Sequence, residues 1–239
     1  MSKKSLPRKS IKNLPATELA KEIHGSFDFK ENANWRLFRI LSEFVEGFEF
    51  LAPLRKEVTF FGSARFGSKN VHYQEAEKLA RMLGKAGFTI ITGGGPGIME
   101  AANRGAYNAG APSIGLNIQL ASEQRINPYV KSYVGFHYFF TRKVMLSVAS
   151  QAYIYFPGGF GTLDEFFEII TLIQTKKLEP LPVVLVGKDY WNPFVEWMKE
   201  SMLHTHKTIS KDDLKLFKVV DSAKAAFDII KHSKERKYL

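Results

Sequence analysis

A glycine-rich turn followed by two acidic residues, at positions 157–165, combines two features that chemistry on a phosphorylated substrate needs. Glycine lets the backbone approach a bulky anion, and the first free N–H groups of a helix complement negative charge. The apolar run 152–156 before the turn is typical of a buried parallel strand, and residues 166–173 after it have helical spacing. The order of strand, glycine turn and helix therefore predicts an anion site, with Asp164 and Glu165 close to it.

The same segment has a second interpretation. Thr162 and Glu165 have the spacing of a capping box, in which Thr162 is the N-cap and Glu165 reaches back to its backbone N–H. Glu165 would then have a purely structural role. The residues of this motif alone leave both interpretations open.

Composition favours one domain. The 239 residues, 45% of them hydrophobic, are enough for one well-buried domain and few for two. No run approaches the roughly 20 apolar residues of a membrane span, and no early stretch has the pattern of a secretory signal. We expect a soluble, cytoplasmic protein with no membrane partner. With no cysteine, disulfides, thiolate metal sites and cysteine nucleophiles are excluded.

The net charge of +10 lies mostly at the two ends of the chain. Residues 1–12 carry +5 and residues 231–239 carry +3, so about +2 is left for the body between them. Because the body lacks a basic stripe, we expect no specific nucleic-acid partner. We interpret residues 1–30 as a mobile basic arm and residues 31–239 as a single domain that includes an N-terminal helix.

Strand-like and helix-like patterns alternate after this N-terminal helix, which is predicted from about residue 32 to about Gly47. The predicted strands are 58–61, 88–91, 113–117, 133–136, 152–156 and 182–186, and the predicted helices are 73–85, 98–109, 141–149, 191–203 and 223–231, with another after the turn at 157–162. This order predicts an α/β fold: a doubly wound, Rossmann-like parallel sheet flanked by helices, with an N-terminal helical extension.

Three glycine-rich turns, at residues 62–65, 92–97 and 157–162, follow predicted strands. Ligands of such sheets bind outside the carboxyl ends of the strands, so we expect these turns to converge on one crevice. The turn at 92–97 resembles a dinucleotide fingerprint in composition, but Ile98 occupies the position of the third glycine. A nicotinamide site is therefore not expected, and no cofactor is predicted. Pro96 suits the first turn of the following helix.

Three motifs in this order resemble the LOG family of cytokinin riboside 5′-monophosphate phosphoribohydrolases, whose members are often labelled lysine decarboxylases. The similarity covers roughly residues 56–200, and the motifs are Gly93-Gly94-Gly95-Pro96-Gly97-Ile98-Met99-Glu100, Arg142-Lys143 and Pro157-Gly158-Gly159-Phe160-Gly161-Thr162-Leu163-Asp164-Glu165. The resemblance implies a Rossmann-like homodimer or larger assembly. It also implies cleavage of the N-glycosidic bond of a nucleoside 5′-monophosphate, which yields free base and ribose 5-phosphate.

The resemblance also implies roles for individual residues. It makes Arg142 and Glu165 the catalytic pair. It assigns the 5′-phosphate to Gly158, Gly159, Phe160, Gly161 and Thr162. Further predicted nucleotide contacts, drawn from the turns and from the resemblance, are Ser63, Gly94, Gly95, Glu123, Lys143 and Thr171.

The chemistry of a glycosidic bond is consistent with these roles. Its cleavage builds positive charge on the sugar, which a carboxylate such as Glu165 can stabilise; the same group can accept a proton from attacking water. Arg142 does not readily lose its proton, so charge stabilisation and orientation suit it better than base catalysis.

Other functions stay as alternatives. A non-enzymatic carrier or sensor could hold a nucleotide-like cofactor with the same turns. A pyridoxal-phosphate enzyme would need a Schiff-base lysine, and the candidate Lys207 lies away from all three turns. The six histidines do not cluster, so no metal site is predicted. The aromatic residues that precede Arg142, namely Phe136, Tyr138, Phe139 and Phe140, could stack on a base or pack in the core.

Overall fold

The computed structural model describes residues 33–119 and 126–235. By its internal contacts the chain divides into two compact units, one up to Ser42 and the other from Glu43 onward. The predicted basic arm at 1–30 and the predicted ligand residue Glu123 lie outside the described residues. In the first unit, the described part is the start of helix α1 (Ala33–Leu51).

Strands and helices alternate along the second unit. The strands are β1 (Glu57–Phe61), β2 (Thr89–Thr92), β3 (Ser113–Ile118), β4 (Ser132–Phe136), β5 (Ala152–Tyr155), β6 (Val183–Val186) and β7 (Lys218–Val220). The helices after α1 are α2 (Val71–Lys85), α3 (Ile98–Asn108), α4 (Phe139–Val148), α5 (Phe160–Gln174), α6 (Lys188–Trp197) and α7 (Ala223–Ile230). A π-helix, Met198–Thr205, continues α6, and a short 3₁₀ helix, Asp213–Lys215, precedes β7. Over the described ranges, no helix combines the length and apolarity that a bilayer crossing requires.

The seven strands form one sheet in the order β4-β3-β2-β1-β5-β6-β7, and every neighbouring pair is parallel. The chain builds outward from β1 to one edge, returns to the centre with β5, and then builds to the other edge. The predicted doubly wound fold is confirmed. Its topological switch point lies between β1 and β5, where ligands of this architecture bind.

The sheet is buried on both faces, as parallel strands require. Val58 and Phe60 of β1 belong to a core cluster with α2, α3 and α7, whereas Phe61 belongs to a second cluster with α4, α5 and α6. Tyr153 and Tyr155 of β5 also belong to the second cluster. Helices α4 and α5, which carry Arg142 and Glu165, therefore pack on the same face of the sheet.

Two local predictions are wrong, and one strand has no counterpart among the predicted elements. Helix α1 continues past Gly47 to Leu51. A Cβ at Gly47 would lie 2.6 Å from the sulfur of Met145. That glycine allows a close helix approach and does not end the helix. Pro96 precedes the N-cap of α3, Gly97, so it lies outside the first helical turn. Strand β7 was not predicted, since three residues give too short a pattern.

Candidate active site

A cavity of about 660 Å³ opens beside the carboxyl ends of β1 and β5. Its walls are residues 60–66 and 157–162, together with Gly93, Met99, Arg142, Leu146, Glu165 and Tyr190. The turns at residues 62–65 and 157–162 start side by side because Phe61 and Tyr155 are paired in the sheet. The N–H of Ser63 donates to the carbonyl of Pro157 at 2.9 Å. The volume is in the range of small-molecule sites.

The turn after β5 leads directly into α5. Gly159 is the N-cap and makes no side-chain cap bond, while the N–H groups of Thr162 and Leu163 donate back to its carbonyl. The N–H groups of Phe160 and Gly161 come before these donors, so they are the ones the helix leaves for a ligand. The Phe160 side chain is 92% exposed, so a phosphate contact there would involve its backbone.

Two glycines of this turn face open space, and a third is required by packing. A Cβ added at Gly159 or Gly161 would meet nothing within 4 Å. A Cβ at Gly158 would collide with the hydroxyl of Thr162. The hydroxyl of Tyr190 holds the turn from the other side, since it donates to the carbonyl of Gly158 at 2.6 Å.

The capping-box interpretation is wrong. Because the chain becomes helical immediately after Gly159, Thr162 is the third residue of α5 and Glu165 is the sixth. Glu165 is therefore too far along the helix to cap it. Its side chain instead lines the cavity.

Arg142 and Glu165 lie together in the cavity wall. Arg142 is the fourth residue of α4, and its Nη2 is 3.9 Å from Oε1 of Glu165. The side chains are only 18% and 7% exposed. Nε of Arg142 and Oε2 of Glu165 are buried and, within the described residues, have no hydrogen-bond partner. Buried polar atoms of this kind need a bound molecule or water to satisfy them.

Burial shifts the pKa of both groups. It raises the pKa of Glu165 to about 8, against the opposing charge of Arg142, and the nearby carboxylate of Glu168 raises it further. Burial likewise lowers the pKa of Arg142, while Glu165 counteracts that shift. A carboxyl group with this pKa can exchange a proton near neutral pH, which suits acid–base chemistry.

Two tyrosines of β5 hold the helices that carry this pair. The hydroxyl of Tyr155 donates to the backbone carbonyl of Glu165 at 3.1 Å, and the hydroxyl of Tyr153 donates to the carbonyl of Ser147 in α4. Both tyrosines are fully buried. Neither role is among the sequence-based predictions, although two polar-tipped side chains in an otherwise apolar strand indicate buried hydrogen-bond partners.

The glycine turn at residues 92–97 contributes Gly93 to the cavity. A Cβ at Gly93 would lie 3.6 Å from Nη1 of Arg142. Gly94 and Gly95 are buried behind it, and their carbonyls accept hydrogen bonds from Nδ2 of Asn127 at 3.0 and 2.9 Å. Neither residue lines the cavity, and their predicted nucleotide contacts stay predictions.

Asn127 belongs to a buried polar network that the sequence analysis also missed. Its Nδ2 has two hydrogens for three acceptors, the third being Oδ1 of Asn103 at 2.9 Å. That oxygen also accepts from the Thr92 hydroxyl at 2.7 Å. The same hydroxyl accepts from the N–H of Gly94 at 2.9 Å. The network therefore fixes the backbone conformation of the turn at residues 92–97.

The remaining predicted contacts lie in different places. Ser63 lines the cavity, and its hydroxyl accepts from the N–H of Arg65 at 3.1 Å. Lys143 is not part of the lining; its Nζ is 2.8 Å from Asp164 and 3.5 Å from Glu168. Thr171 is exposed on α5, also outside the lining.

The aromatic residues before Arg142 do not line the cavity. Phe136 is core, Tyr138 is partly buried, and Phe139 and Phe140 are exposed. The apolar part of the cavity wall comes instead from Phe60, Phe61, Phe66, Met99 and Leu146. Across residues 33–119 and 126–235, no group of three His, Asp or Glu side chains could hold a metal ion.

A profile of the protein family described as "Possible lysine decarboxylase" matches residues 99–230, which is more than half of the chain and includes Arg142 and the turn with Glu165. The chain belongs to this family, the LOG family.

Several relatives within the LOG family have named activities. A probable cytokinin riboside 5′-monophosphate phosphoribohydrolase of Oryza sativa subsp. japonica, LOGL2, is 29% identical over 154 residues, 62% of this chain and 61% of that protein. A cytokinin riboside 5′-monophosphate phosphoribohydrolase of Rhodococcoides fascians is 26% identical over 153 residues, 62% of this chain and 77% of that protein. The match thus spans about three fifths of the rice protein.

Solved structures also share the fold of this LOG-family chain. The molybdenum cofactor carrier protein of Chlamydomonas reinhardtii has a TM-score of 0.57 at 20% identity, covering 74% of this chain and 96% of that one. The molybdenum cofactor binding protein of Rippkaea orientalis has a TM-score of 0.54 at 20% identity, covering 73% and 93%. At this identity the likeness concerns the fold alone.

Proposed function

We propose that this protein hydrolyses the N-glycosidic bond of a nucleoside 5′-monophosphate, either AMP-like or a cytokinin riboside 5′-monophosphate, to free base and ribose 5-phosphate. The observation that carries the proposal is the placement of the buried Arg142–Glu165 pair in the same cavity as a glycine turn with available amides. The names of the LOG-family relatives support it at 26–29% identity.

The start of α5 is the proposed phosphate site. The N–H groups of Phe160 and Gly161 and the positive end of the helix dipole attract an anion, and the open space at Gly159 and Gly161 leaves room for its oxygens. Glu165 is five residues beyond Phe160, about 7.5 Å along the helix axis. A phosphate at the helix start therefore directs the attached ribose toward Glu165.

In the proposed reaction, the oxygen of a water molecule bonds to C1′ while the C1′–N bond breaks and its electron pair goes to the base. Ionised Glu165 stabilises the positive charge that develops on the sugar and accepts a proton from the water. That proton then passes from Glu165, directly or through water, to the leaving base, which restores the carboxylate. Arg142 keeps its own proton, so its role is to orient the carboxylate and to balance charge.

The test is incubation of the full chain with a panel of nucleotides: AMP, GMP, CMP, UMP and isopentenyladenosine 5′-monophosphate, each beside its dephosphorylated nucleoside. We expect free base and ribose 5-phosphate, separated by chromatography, from at least one monophosphate and none from the nucleosides. Tight nucleotide binding with no base release would contradict the hydrolase and support the carrier or sensor that the same turns could serve.

The homodimer or larger assembly implied by the resemblance belongs to this proposal. Exposed apolar side chains on the second unit support it, since Tyr133, Phe139 and Phe140 are 58%, 61% and 45% exposed. Light scattering during size-exclusion chromatography tests it, and a monomer at working concentration would contradict it. The cytoplasmic location stays a prediction.

A further inference from the structure

A buried carboxylate on α1 contacts the start of the helix that carries Arg142. Glu43 is 6% exposed, and with Gly47 and Leu51 it forms the buried stripe of this part of α1. Its Oε1 accepts from the N–H of His137 at 3.0 Å. Its Oε2 accepts from the N–H of Tyr138 at 3.3 Å and lies 2.6 Å from the hydroxyl of Thr141, which can donate to it.

These contacts satisfy the N–H of the N-cap residue of α4 and that of the residue before it, together with the hydroxyl of the third helical residue. The N-cap residue of α4 is Tyr138, which makes no side-chain cap bond. Helix starts leave backbone donors without partners, and a carboxylate there also interacts favourably with the helix dipole. Glu43 supplies both effects from a different helix. No short-range pattern around residue 138 shows this, since Glu43 is 95 residues away along the chain.

Arg142 also lies in the first turn of α4. Arg142 directly follows Thr141, and its N–H donates to the carbonyl of Tyr138 at 3.3 Å. A buried cation in the first turn opposes the helix dipole, so the negative charge of Glu43 offsets an unfavourable placement. Fixing this turn fixes the backbone from which the guanidinium reaches Glu165.

We propose that Glu43 is a positioning residue for Arg142: it caps α4 from α1 and holds the guanidinium in register with Glu165. Helix α1 precedes the residues matched by the family profile, so that match does not include Glu43. The kinetic part of the inference rests on the proposed function, whereas the structural part does not.

The test compares the wild type with Glu43→Gln, Thr141→Val and the control Glu46→Gln, an exposed residue of the same helix. Hydrogen exchange of the amides at 137–142 is measured together with kcat and KM for AMP. In Glu43→Gln we expect exchange faster by roughly tenfold or more at these amides and a kcat reduced roughly 10- to 100-fold with KM within threefold. We expect a smaller loss in Thr141→Val and wild-type values in Glu46→Gln.

The outcomes are separable from those of the proposed function. If the wild type releases no base from AMP, exchange alone decides, and acceleration confined to 137–142 supports the capping role. If the wild type is active and Glu43→Gln matches Glu46→Gln in both exchange and kcat, the proposal is overturned. Uniformly faster exchange across the whole chain would also overturn it, because that indicates only a general loss of stability. Should Glu43→Gln fail to fold, Thr141→Val decides by the same criteria.

Discussion

The guanidinium of Arg142 and the carboxylate of Glu165 face each other with 3.9 Å between Nη2 and Oε1, in a wall where both side chains are largely buried. The distance is too long for a direct hydrogen bond, and each group keeps one buried polar atom without a partner in the described structure. The two groups attract each other electrostatically but form no direct hydrogen bond. The pair leaves hydrogen-bonding capacity for a molecule in the cavity.

Replacing either member of this pair should abolish most turnover. We expect Glu165→Gln to reduce base release by about 10²- to 10³-fold, because one preorganised electrostatic contact is lost, while the Kd for ribose 5-phosphate stays within about twofold. Arg142→Gln should have a similar effect, and the double variant should be little worse than either. Chromatographic assays and calorimetry measure both quantities.

The matched control is Asp164→Asn, which changes an exposed carboxylate next to Glu165 and should stay within about threefold of the wild type. A Glu165→Gln protein with wild-type base release would remove Glu165 from the reaction.

The pH dependence of turnover should report the ionisation of Glu165. Since its pKa is about 8 and the proposed reaction uses the carboxylate, kcat/KM should rise with pH up to about 8 and level off above it. Glu168→Gln removes a charge that raises this pKa, so the rise should move to lower pH. A profile that instead falls above pH 8 would assign Glu165 to proton donation.

Stability should depend on the same group with a definite sign. Glu165 binds its proton more tightly in the folded chain, where its pKa is about 8, than at its ordinary value of 4.5. Proton binding by Glu165 therefore adds to the free energy of unfolding. This contribution is complete below pH 4.5 and is lost as pH rises toward 8. Glu165→Gln does not ionise, so its Tm should rise relative to the wild type between pH 5 and 8, by on the order of 10 °C, and level off above pH 8.

Differential scanning calorimetry at closely spaced pH values measures that difference. A constant gap in Tm across the range would mean that Glu165 has an ordinary pKa in the folded chain.

The glycines of the turn at residues 157–162 should respond differently to alanine. At Gly158 the added methyl group collides with Thr162, so we expect a loss of about 1–3 kcal/mol in the free energy of unfolding together with loss of phosphate binding. At Gly161 the methyl group meets no protein atom, so stability should be kept or slightly raised while KM increases.

Gly67→Ala is the control, because it also meets nothing within 4 Å and lies outside the cavity wall. Chemical denaturation and steady-state kinetics separate the two effects. An unchanged KM in Gly161→Ala would place the phosphate elsewhere.

Tyr155 should contribute to catalysis through the backbone of Glu165. Tyr155→Phe removes one buried hydrogen bond, so we expect a loss of about 1 kcal/mol in stability and a severalfold lower kcat with KM unchanged. Tyr107→Phe, at a residue 49% exposed, provides the control and should change neither. A loss of stability without any change in kcat would make Tyr155 a structural residue only.

Much of this architecture could be predicted from the sequence because parallel strands buried on both faces appear as continuous apolar runs. Each predicted strand agrees with the structure to within one residue at both ends. The convergence of the turns after β1 and β5 also followed from the position of glycines at strand ends. By contrast, whether Glu165 caps α5 or lines the cavity depends on the residue at which α5 begins. That boundary is set by the extended backbone at Gly159, which the capping-box spacing does not show.

Long-range side-chain contacts could not be predicted. The bonds from Asn127 to the turn at residues 92–97, from Tyr155 to α5 and from Glu43 to α4 join residues whose separation along the chain carries no periodic signal. Lys143 shows the converse, since its proximity to Arg142 suggested a ligand contact while its ammonium group pairs with Asp164.

The adjacency of β1 and β5 also has a consequence for biosynthesis. The half of the cavity wall that follows β1 emerges from the ribosome long before the half that follows β5, and until then β1 presents an unpaired edge with its backbone groups exposed. Nascent chains that stop short of β5 would therefore lack one wall of the cavity and be prone to association with other chains. A ligand in the cavity can stabilise the fold only after β5 and the turn that follows it have been translated.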